Sequence, residues 1–545
     1  MTHRHVTCSL LAATLLAASA IAADWPMWGR TPSRNMATDE KNPVAMPLPA
    51  TFDAGELKKG TELIDLSTTK NVKWVAKMGS STYGNPTIAG GRVFVGTNND
   101  GRNDPRFKGD YSLLKCLDAA TGKTNWTLTV PKLGAGKVSD WEYLGICSSA
   151  AIDGKRAYIV TSRCEIVCVD VEGLANGNQG VQDEGKYMTG GKGAVELRSD
   201  DADILWRYDM RDDLGVFPHN VTSSSPLVVG KYVYAATSNG KDWSHTNTPN
   251  PKAPSLIVLD KVTGELVGEE DSGISRRVLH ANWSSPAYGE VNGKGMIVFA
   301  AGDGYCYGFD PKPVKDEDGF GILKELWRFD SNPIHYRYRR EADSSAFKTS
   351  SGRLVPITYV KADGLSEHIA SPVVYKNRVY ISIGQDPEHG EGAGCISAID
   401  ATKRGDLSPH LVDAAKTKVS ANPKAGAAWR NTKINRTIST ASLADDLVYV
   451  ADYSGFVYCL DANTGKELWK HDTLSHIWGS TLVADGKVYI GNEDGDVTIL
   501  KAGREKKVLA TVPVDDPVYS SPVAANGVLY IASQTQLYAI SVSDK

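Results

Sequence analysis

The sequence lacks an excess of charge of either sign, and this removes one class of function at the outset. Its 60 Lys and Arg residues nearly balance its 64 Asp and Glu residues, which gives a formal net charge of −4. A protein that binds nucleic acid or an anionic membrane surface through its charge carries a basic excess. Nucleic acid is therefore not an expected partner.

After residue 23 the chain also lacks any apolar run of the roughly 20 residues that a membrane helix needs. The first 23 residues differ, because an apolar stretch at 10–16 is followed by the small-x-small pattern Ala20-Ile21-Ala22 of a cleavage site. Cys8 precedes the apolar stretch, so the pattern is not that of a lipoprotein. We predict a signal peptide over residues 1–23 and a soluble, exported protein, periplasmic or extracellular, with no membrane span.

Cysteine patterns that hold metals are missing as well. Seven of the eight cysteines follow residue 23, an odd number that leaves at least one thiol free, and none has zinc-ligand spacing. Cys116, Cys168 and Cys459 each stand two residues before an Asp in similar segments, which indicates one repeated, buried strand position. We expect these three to be core side chains, and the pairing of the seven stays open.

What the sequence does have is repetition. A Ser-Pro start followed by a strand pattern recurs at 224–234, 370–380 and 520–530, and looser copies complete a set of eight. Each copy begins with a pair of small or hydroxyl-bearing residues, such as Ser224-Ser225, and we take the residue after this pair as the anchor of the copy. The eight anchors are Pro86, Ala150, Pro226, Pro286, Pro372, Ala441, Thr481 and Pro522. The last two anchor spacings are 40 and 41 residues, and a period near 40 with several strands per unit is typical of a β-propeller.

Each unit predicts four strands, and the two ends of the chain predict how the ring closes. The third strand ends in an Asp followed by a turn with Gly, and the fourth carries a Trp suited to pack between blades: Trp126, Trp206, Trp327, Trp429 and Trp469. Residues 71–76 read as a fourth strand with no first three before it, whereas the last unit stops after three strands. We predict an all-β, eight-bladed propeller of four-stranded antiparallel blades, closed by the N-terminal strand. The expected organisation is an N-terminal extension at 24–70 and one propeller domain at 71–545.

These motifs carry a family resemblance. The segment Leu-Asp-Ala-x-Thr-Gly-Lys-x-x-Trp at 117–126, the Ser-Ser-Pro starts and the opening Asp-Trp-Pro-Met-Trp-Gly at 24–29 resemble the pyrroloquinoline-quinone-like propeller repeats. That family includes quinoprotein alcohol dehydrogenases and the propeller lipoprotein of the outer-membrane β-barrel assembly machinery. The segments at 215–220, 384–390 and 491–496 resemble an exported bacterial subgroup of unknown activity.

The sequence departs from both branches that have a known function. The dehydrogenase branch implies pyrroloquinoline quinone with Ca²⁺ under a pair of adjacent cysteines, and no such pair occurs here, which disfavours this cofactor. No Cys-x-x-Cys-His haem motif is present either. The assembly lipoprotein implies a lipidated N-terminal Cys, and none follows the predicted signal peptide. The resemblance therefore implies the fold more strongly than an activity.

Loop positions predict where a site would lie. In up-and-down blades the connections from strand two to three and from strand four to the next strand one share a rim, and long insertions on that rim build pockets. The insertions are 97–111, 237–254, 329–369 and 384–394, and shorter four-to-one connections are expected to carry further histidines, including His471. The candidate ligand-binding residues are Tyr83, Trp243, Trp283, Trp478, Tyr519, His219, His280, His368, His389, His476, Asp386 and Glu388.

Two rings of residues are expected at the mouth of the central channel. The first ring consists of the residues three positions before the anchors: Tyr83, Cys147, Ser223, Trp283, Ile369, Ile438, Trp478 and Tyr519. Four of these eight residues are aromatic. The residues one before the anchors are nearly all hydroxyl-bearing: Asn85, Ser149, Ser225, Ser285, Ser371, Thr440, Ser480 and Ser521. Either the aromatic residues stack a planar ligand, or both rings serve blade packing and backbone hydrogen bonds.

The preferred functional hypothesis is an exported binding or interaction propeller that takes a small-molecule ligand or an envelope protein partner at the histidine- and tryptophan-rich rim. The alternative is a quinone-dependent dehydrogenase that oxidises an alcohol or sugar. A second alternative is a scaffold in outer-membrane protein assembly. The sequence names no catalytic and no metal-ligating residue, and it leaves open what the segment Trp25–Trp28 does.

Overall fold

The protein forms an eight-bladed β-propeller, as the repeats predict. The computed structural model describes residues 24–38, 47–101, 103–340, 353–357, 359, 364–514 and 516–542. The predicted signal peptide lies outside these described residues. Each blade is an antiparallel sheet in which successive strands pair as neighbours, so the first strand is innermost and the fourth outermost.

The first four blades follow one another along the chain. Their strands are β2 (Thr87–Ala89), β3 (Arg92–Asn98), β4 (Tyr111–Asp118) and β5 (Thr124–Pro131) in blade 1; β6 (Ala151–Asp153), β7 (Arg156–Val160), β8 (Glu165–Asp170) and β9 (Ile204–Asp209) in blade 2; β10 (Leu227–Val229), β11 (Tyr232–Ala236), β12 (Leu256–Asp260) and β13 (Leu266–Glu270) in blade 3; and β14 (Ala287–Val291), β15 (Lys294–Ala300), β16 (Tyr305–Phe309) and β19 (Glu325–Asp330) in blade 4.

The second half of the chain repeats the pattern. Its strands are β22 (Val373–Tyr375), β23 (Arg378–Ile383), β24 (Cys395–Asp400) and β28 (Ala427–Asn431) in blade 5; β29 (Ser442–Ala444), β30 (Leu447–Ala451), β31 (Phe456–Asp461) and β32 (Glu467–Asp472) in blade 6; β33 (Leu482–Ala484), β34 (Lys487–Gly491), β35 (Asp496–Lys501) and β36 (Val508–Pro513) in blade 7; and β37 (Val523–Ala525), β38 (Val528–Ala532) and β39 (Gln536–Ile540) in blade 8. His471, which the sequence placed in a connection, lies inside β32.

Short elements decorate the blades. A hairpin of β17 (Val314–Lys315) and β18 (Gly321–Leu323) extends blade 3, and β25 (Gly405–Asp406) extends blade 4. In the described part of the chain the remaining elements are two hairpins, three short α-helices and four 3₁₀ turns: β20 (Tyr338–Arg340) with β21 (Leu354–Pro356), β26 (His410–Val412) with β27 (Val419–Ala421), α1 (Glu184–Met188), α2 (Met210–Leu214), α3 (Ile334–Arg337), and the turns Leu66–Thr68, Gly173–Asn176, Ile274–Arg276 and Pro387–His389.

The N-terminal strand closes the ring. Strand β1 (Val72–Lys77) pairs antiparallel with β39 and becomes the fourth strand of blade 8. This confirms the closure that the incomplete ends of the repeat predict. The pairing joins parts of the chain more than 450 residues apart, and it leaves no gap between the first and last blades.

The repeated tryptophans pack between blades. All five predicted fourth-strand tryptophans lie in fourth strands, and four of them donate Nε1–H to a backbone carbonyl of the next blade, as Trp126 does to Val171 at 2.9 Å. Trp206 lies over the turn glycine Gly264, where a Cβ would stand 2.6 Å from the ring. The Gly of the repeat therefore supplies both a positive φ and the room for the neighbouring indole.

The N-terminal segment, residues 24–38, lies across the central channel beneath the blades. Its backbone hydrogen-bonds the innermost strands, whose free edges would otherwise leave backbone groups unpaired. The bonded residue stands two positions after the anchor in five blades: Ile88, Ile152, Tyr288, Val374 and Val483. Asn35 reaches the equivalent residue of blade 6, Leu443, through its side chain.

Arg34 fixes this segment to the ring. Its side chain is fully buried and donates to four backbone carbonyls at 2.8–3.1 Å: those of Trp28, Ser225, Pro226 and Pro286. Burial lowers the pKa of the guanidinium to about 9. Four converging carbonyl dipoles hold this cation in place.

Candidate functional site

A cavity opens in the central channel, on the rim shared by the four-to-one and two-to-three connections. It encloses about 350 Å³, and all eight residues of the predicted ring three before the anchors line it. Seven of the eight residues one before the anchors line it as well, Ser149 being the exception. The repeat therefore gives the cavity an inner surface with one side chain of each ring from almost every blade.

The hydroxyl ring is also structural. In six of the eight blade junctions, the backbone N–H of one ring member donates to the side-chain oxygen of the next blade's member. Ser149 N–H donates to Ser225 Oγ at 2.9 Å, and Ser225 N–H donates to Ser285 Oγ at 2.9 Å. These hydrogen bonds link neighbouring blades. Each of these side-chain oxygens therefore already accepts one hydrogen bond from the backbone when no ligand is bound.

Three aromatic rings form one wall of the cavity. Trp478 stacks on Tyr519 with ring centroids 4.8 Å apart, and Tyr83 lies 5.2 Å from Tyr519. Glu493 braces the wall from behind, because it accepts hydrogen bonds from Trp478 Nε1 at 3.2 Å and from the Tyr519 hydroxyl at 3.1 Å. The wall presents a rigid, apolar surface with the flat faces that a planar ligand can use.

Trp283 faces this wall from blade 4, across the ring from blade 8. Its Nε1 donates to the backbone oxygens of His219 and Val221, at 3.1 and 2.9 Å, so its orientation is fixed. Trp28 of the N-terminal segment forms the floor, and its Nε1 donates to Ser371 Oγ at 3.0 Å. The cavity is therefore bounded by aromatic side chains on two sides and below.

The charge in the cavity is acidic. Asp386 and Glu388 line it, and none of the described lining residues is Lys or Arg. Burial raises the pKa of both carboxyl groups, and for Glu388 the nearby Asp386 adds to the rise. The site therefore favours a cation or a hydrogen-bond donor over an anion.

Three predicted histidines lie together beside the cavity. His219 and His280 face each other with Nε2 atoms 2.6 Å apart, and His389 stacks on His280 with centroids 5.4 Å apart. Asp386 joins this cluster to the cavity, because its Oδ2 lies 3.7 Å from His280 Nδ1. His245, which was not among the candidates, completes the cluster.

The structure does not bring three other candidates to the cavity. Trp243 is 71% exposed in its insertion. His368 is buried between blades, with Nδ1 3.0 Å from the Ser382 carbonyl oxygen. His476 stacks on Tyr453, 4.4 Å between centroids, and lies behind the aromatic wall beside Glu493.

Sequence reasoning missed several lining residues. Trp28 lies in the non-repeating N-terminal segment, and Trp141 and Leu144 lie in the connection between blades 1 and 2. The only available signal for Trp28 was the aromatic opening of the segment, which shows no period. Asn220 was also missed, and its side chain donates to Asp386 Oδ2 at 3.1 Å.

The cysteines do not form a reactive site. The seven described cysteines are free thiols, and Cys116, Cys168 and Cys459 are core residues as predicted. Cys147 lines the cavity, but burial raises the pKa of its thiol to about 12. A thiol with such a pKa is protonated at neutral pH and is a poor nucleophile.

The residues of the cavity do not suit pyrroloquinoline quinone. This cofactor carries three carboxylates, which need basic partners, whereas the described lining offers Asp386 and Glu388 and no basic side chain. The adjacent cysteine pair that the dehydrogenase branch implies is also absent from the sequence.

Fold and cavity together define the class: an eight-bladed propeller with pyrroloquinoline-quinone-like repeats and one aromatic-lined mouth. The family model described as outer membrane protein assembly factor BamB matches residues 54–186, 110–267 and 392–507, more than half of the chain. The protein belongs to this family of propellers. No curated protein sequence matches the chain.

Solved structures with a similar fold share little sequence with this chain. BamB from Moraxella catarrhalis is 11% identical, with a TM-score of 0.48 over 87% of this chain and 98% of its own. Quinohemoprotein alcohol dehydrogenase from Comamonas testosteroni is 12% identical, with a TM-score of 0.45 over 96% and 81%. A europium-containing methanol dehydrogenase is 11% identical, with a TM-score of 0.44 over 95% and 98%.

The described residues contain no helix that is long and apolar enough to cross a membrane.

Proposed function

We propose that the protein is an exported binding propeller that takes a planar, cationic small molecule, or a cationic or aromatic side chain of a partner, in the aromatic cavity. The observation that carries the proposal is the combination of flat aromatic walls with two carboxyl groups and no Lys or Arg among the lining residues that the structure describes. Aromatic faces attract cations, and the attraction grows when water is excluded. Export after removal of residues 1–23 is part of the same proposal.

The geometry indicates how such a ligand would be held. Trp283 and the wall of Tyr83, Trp478 and Tyr519 would contact its two sides, while Asp386 and Glu388 would meet its positive or donor group. A cation beside these carboxyls would favour their ionised form and strengthen the contact. About 350 Å³ matches a small ligand or one large side chain rather than a folded segment.

Two planar probes of opposite charge test the proposal. Titration of the protein comprising residues 24–545 with N-methylquinolinium and with quinoline-2-carboxylate, followed by tryptophan fluorescence, should show at least tenfold tighter binding of the cation. Glu388→Gln and Trp478→Ala should each weaken the cation, and the exposed Trp243→Ala serves as the matched control. Equal binding of the anion, or an equal effect of Trp243→Ala, would contradict the assignment.

A quinone titration separates this proposal from the dehydrogenase alternative. We expect no quenching by micromolar pyrroloquinoline quinone with Ca²⁺, because the lining is acidic. Metal-dependent quenching that Trp283→Ala or Trp478→Ala abolishes would instead support an oxidoreductase.

A second candidate function is docking of an envelope protein on the same rim, and the family model favours it. The rim insertions present exposed side chains such as Trp243, and a partner could place a residue in the cavity. Cross-linking in intact cells from position 243, with position 320 on the outer face of the blades as control, would reveal such a partner. Equal yields from both positions would oppose docking at the rim.

A further inference from the structure

Four imidazole rings from four different connections meet beside the cavity. His219 and His280 precede blades 3 and 4, His245 lies in the two-to-three connection of blade 3, and His389 lies in that of blade 5. Ring centroids are 4.2 Å apart for His219 and His280, 4.8 Å for His219 and His245, and 5.2 Å for His245 and His280. One nitrogen of each of these three residues lies within 4.8 Å of the others.

The two buried rings are oriented from behind. His219 Nδ1 lies 2.6 Å from the Lys241 carbonyl oxygen, which can only accept, so this nitrogen carries the proton and Nε2 presents its lone pair towards His280 Nε2. His280 Nδ1 lies 3.2 Å from the Tyr359 hydroxyl, which donates to Glu367 at 2.6 Å. Both Nε2 atoms therefore point to one spot, in the arrangement by which outer hydrogen bonds aim metal-ligating imidazoles.

Two carboxyl groups lie behind His280, and a further imidazole lies beside it. Oxygens of Glu367 and Asp386 lie 3.8 and 3.7 Å from His280 Nδ1, on the side of the ring away from Nε2. His389, whose ring stacks on His280, has a buried Nδ1 with no hydrogen-bond partner among the described residues. A cation at Nε2 would favour the ionised form of the carboxyl groups behind the ring.

We infer that His219, His245 and His280 form a binding site for one divalent transition-metal ion, Zn²⁺ or Cu²⁺, at the edge of the cavity. Imidazole is a preferred ligand of both ions, whereas Ca²⁺ and Mg²⁺ prefer oxygen. The ion lies between the two Nε2 lone pairs, and these atoms move from 2.6 Å apart to the roughly 3.4 Å that tetrahedral Zn–N bonds of about 2.1 Å require. This inference does not depend on the proposed function of the cavity.

Metal titration of the untagged protein tests the site. After treatment with a chelator, we expect isothermal titration with ZnCl₂ and with CuCl₂ to show one ion per chain, and CaCl₂ to show none. The electron paramagnetic resonance spectrum of the Cu²⁺ form should show hyperfine splitting from nitrogen ligands.

Variants assign the ligands. His245 is exposed, so His245→Ala should leave the fold intact while lowering metal affinity at least tenfold. His410→Ala removes an exposed histidine of the outer hairpin and should change nothing. Unchanged affinity in His245→Ala, equal loss in His410→Ala, or no stoichiometric binding of either metal would overturn the inference.

Discussion

Buried histidines make this fold sensitive to acid, and His368 is one of them. Its ring is fully buried, with Nδ1 3.0 Å from the Ser382 carbonyl oxygen. Burial, with a smaller contribution from Arg337, lowers the pKa of His368 to about 4. The unfolded chain binds a proton near pH 6.5 and the folded one does not until about pH 4, so stability falls as pH drops through this window.

The pH window predicts the behaviour of a variant. The group contributes about 3 kcal/mol to the free energy of unfolding above pH 6.5, and this contribution disappears by about pH 4. In urea unfolding between pH 7.5 and 4.5, His368→Asn should therefore show a shallower decline than the wild type. Parallel declines in the two proteins would show that this histidine is not responsible.

At the same scale, the sequence identified site residues by two signals, a constant distance from the anchors and a place in a rim connection, and it missed residues such as His245 that neither signal singled out. Tyr83, Trp283, Trp478 and Tyr519 were found because their distance from the anchors is constant, and the structure places them all on the cavity. His245 had no such regularity. It meets His219 and His280 only because the 237–254 insertion folds towards two four-to-one connections, and no sequence period records that.

At the scale of elements, the N-terminal segment depends on Arg34. Lys at this position has three donors on a single nitrogen and cannot reach four carbonyls spread over two blades and the segment itself. Each buried carbonyl left without a partner costs about 1–3 kcal/mol. Arg34→Lys should therefore loosen residues 24–38 from the ring.

Hydrogen exchange measures this loosening. The amides of Tyr288, Val374 and Val483 donate to carbonyls of the segment, so peptides containing them should exchange faster in Arg34→Lys. Peptides from the middle strands β12 and β31 serve as internal controls. Faster exchange throughout would mean general destabilisation, and no change would mean that the backbone bonds alone hold the segment.

The strands were predictable and this segment was not, for a physical reason. A blade must fit its neighbours, so its turns, small residues and tryptophans recur. The segment crosses the ring once and meets the blades at uneven intervals: Trp25 and Pro26 bond blades 1 and 2, whereas the next backbone bonds, from Pro32 and Ser33, go to blades 4 and 5. Such contacts impose no period on residues 24–38.

At the scale of the whole molecule, closure rests on one strand pair. Lys77 and Gln536 are register partners at the end of β1 and β39. Neighbouring antiparallel positions have Cα atoms about 4.5–5.5 Å apart, a spacing that a disulfide can bridge. A disulfide between Lys77→Cys and Gln536→Cys should raise the midpoint of thermal unfolding by several degrees, because it prevents the ring from opening. The same double variant under reducing conditions is the control, and identical midpoints would show that unfolding starts elsewhere.

The segment 24–38 closes one end of the central channel, so the cavity is open at the rim alone. Trp28 is at once the floor of the cavity and part of a strip that hydrogen-bonds all eight blades, so the strip crosses the channel between the cavity and the far side of the ring. The strip blocks the path of a polymer through the central channel, so the cavity accommodates the end of a chain, a side chain or a small molecule. A ligand therefore enters and leaves through the same opening at the rim, and a partner that bridges the rim insertions would slow the dissociation of the ligand.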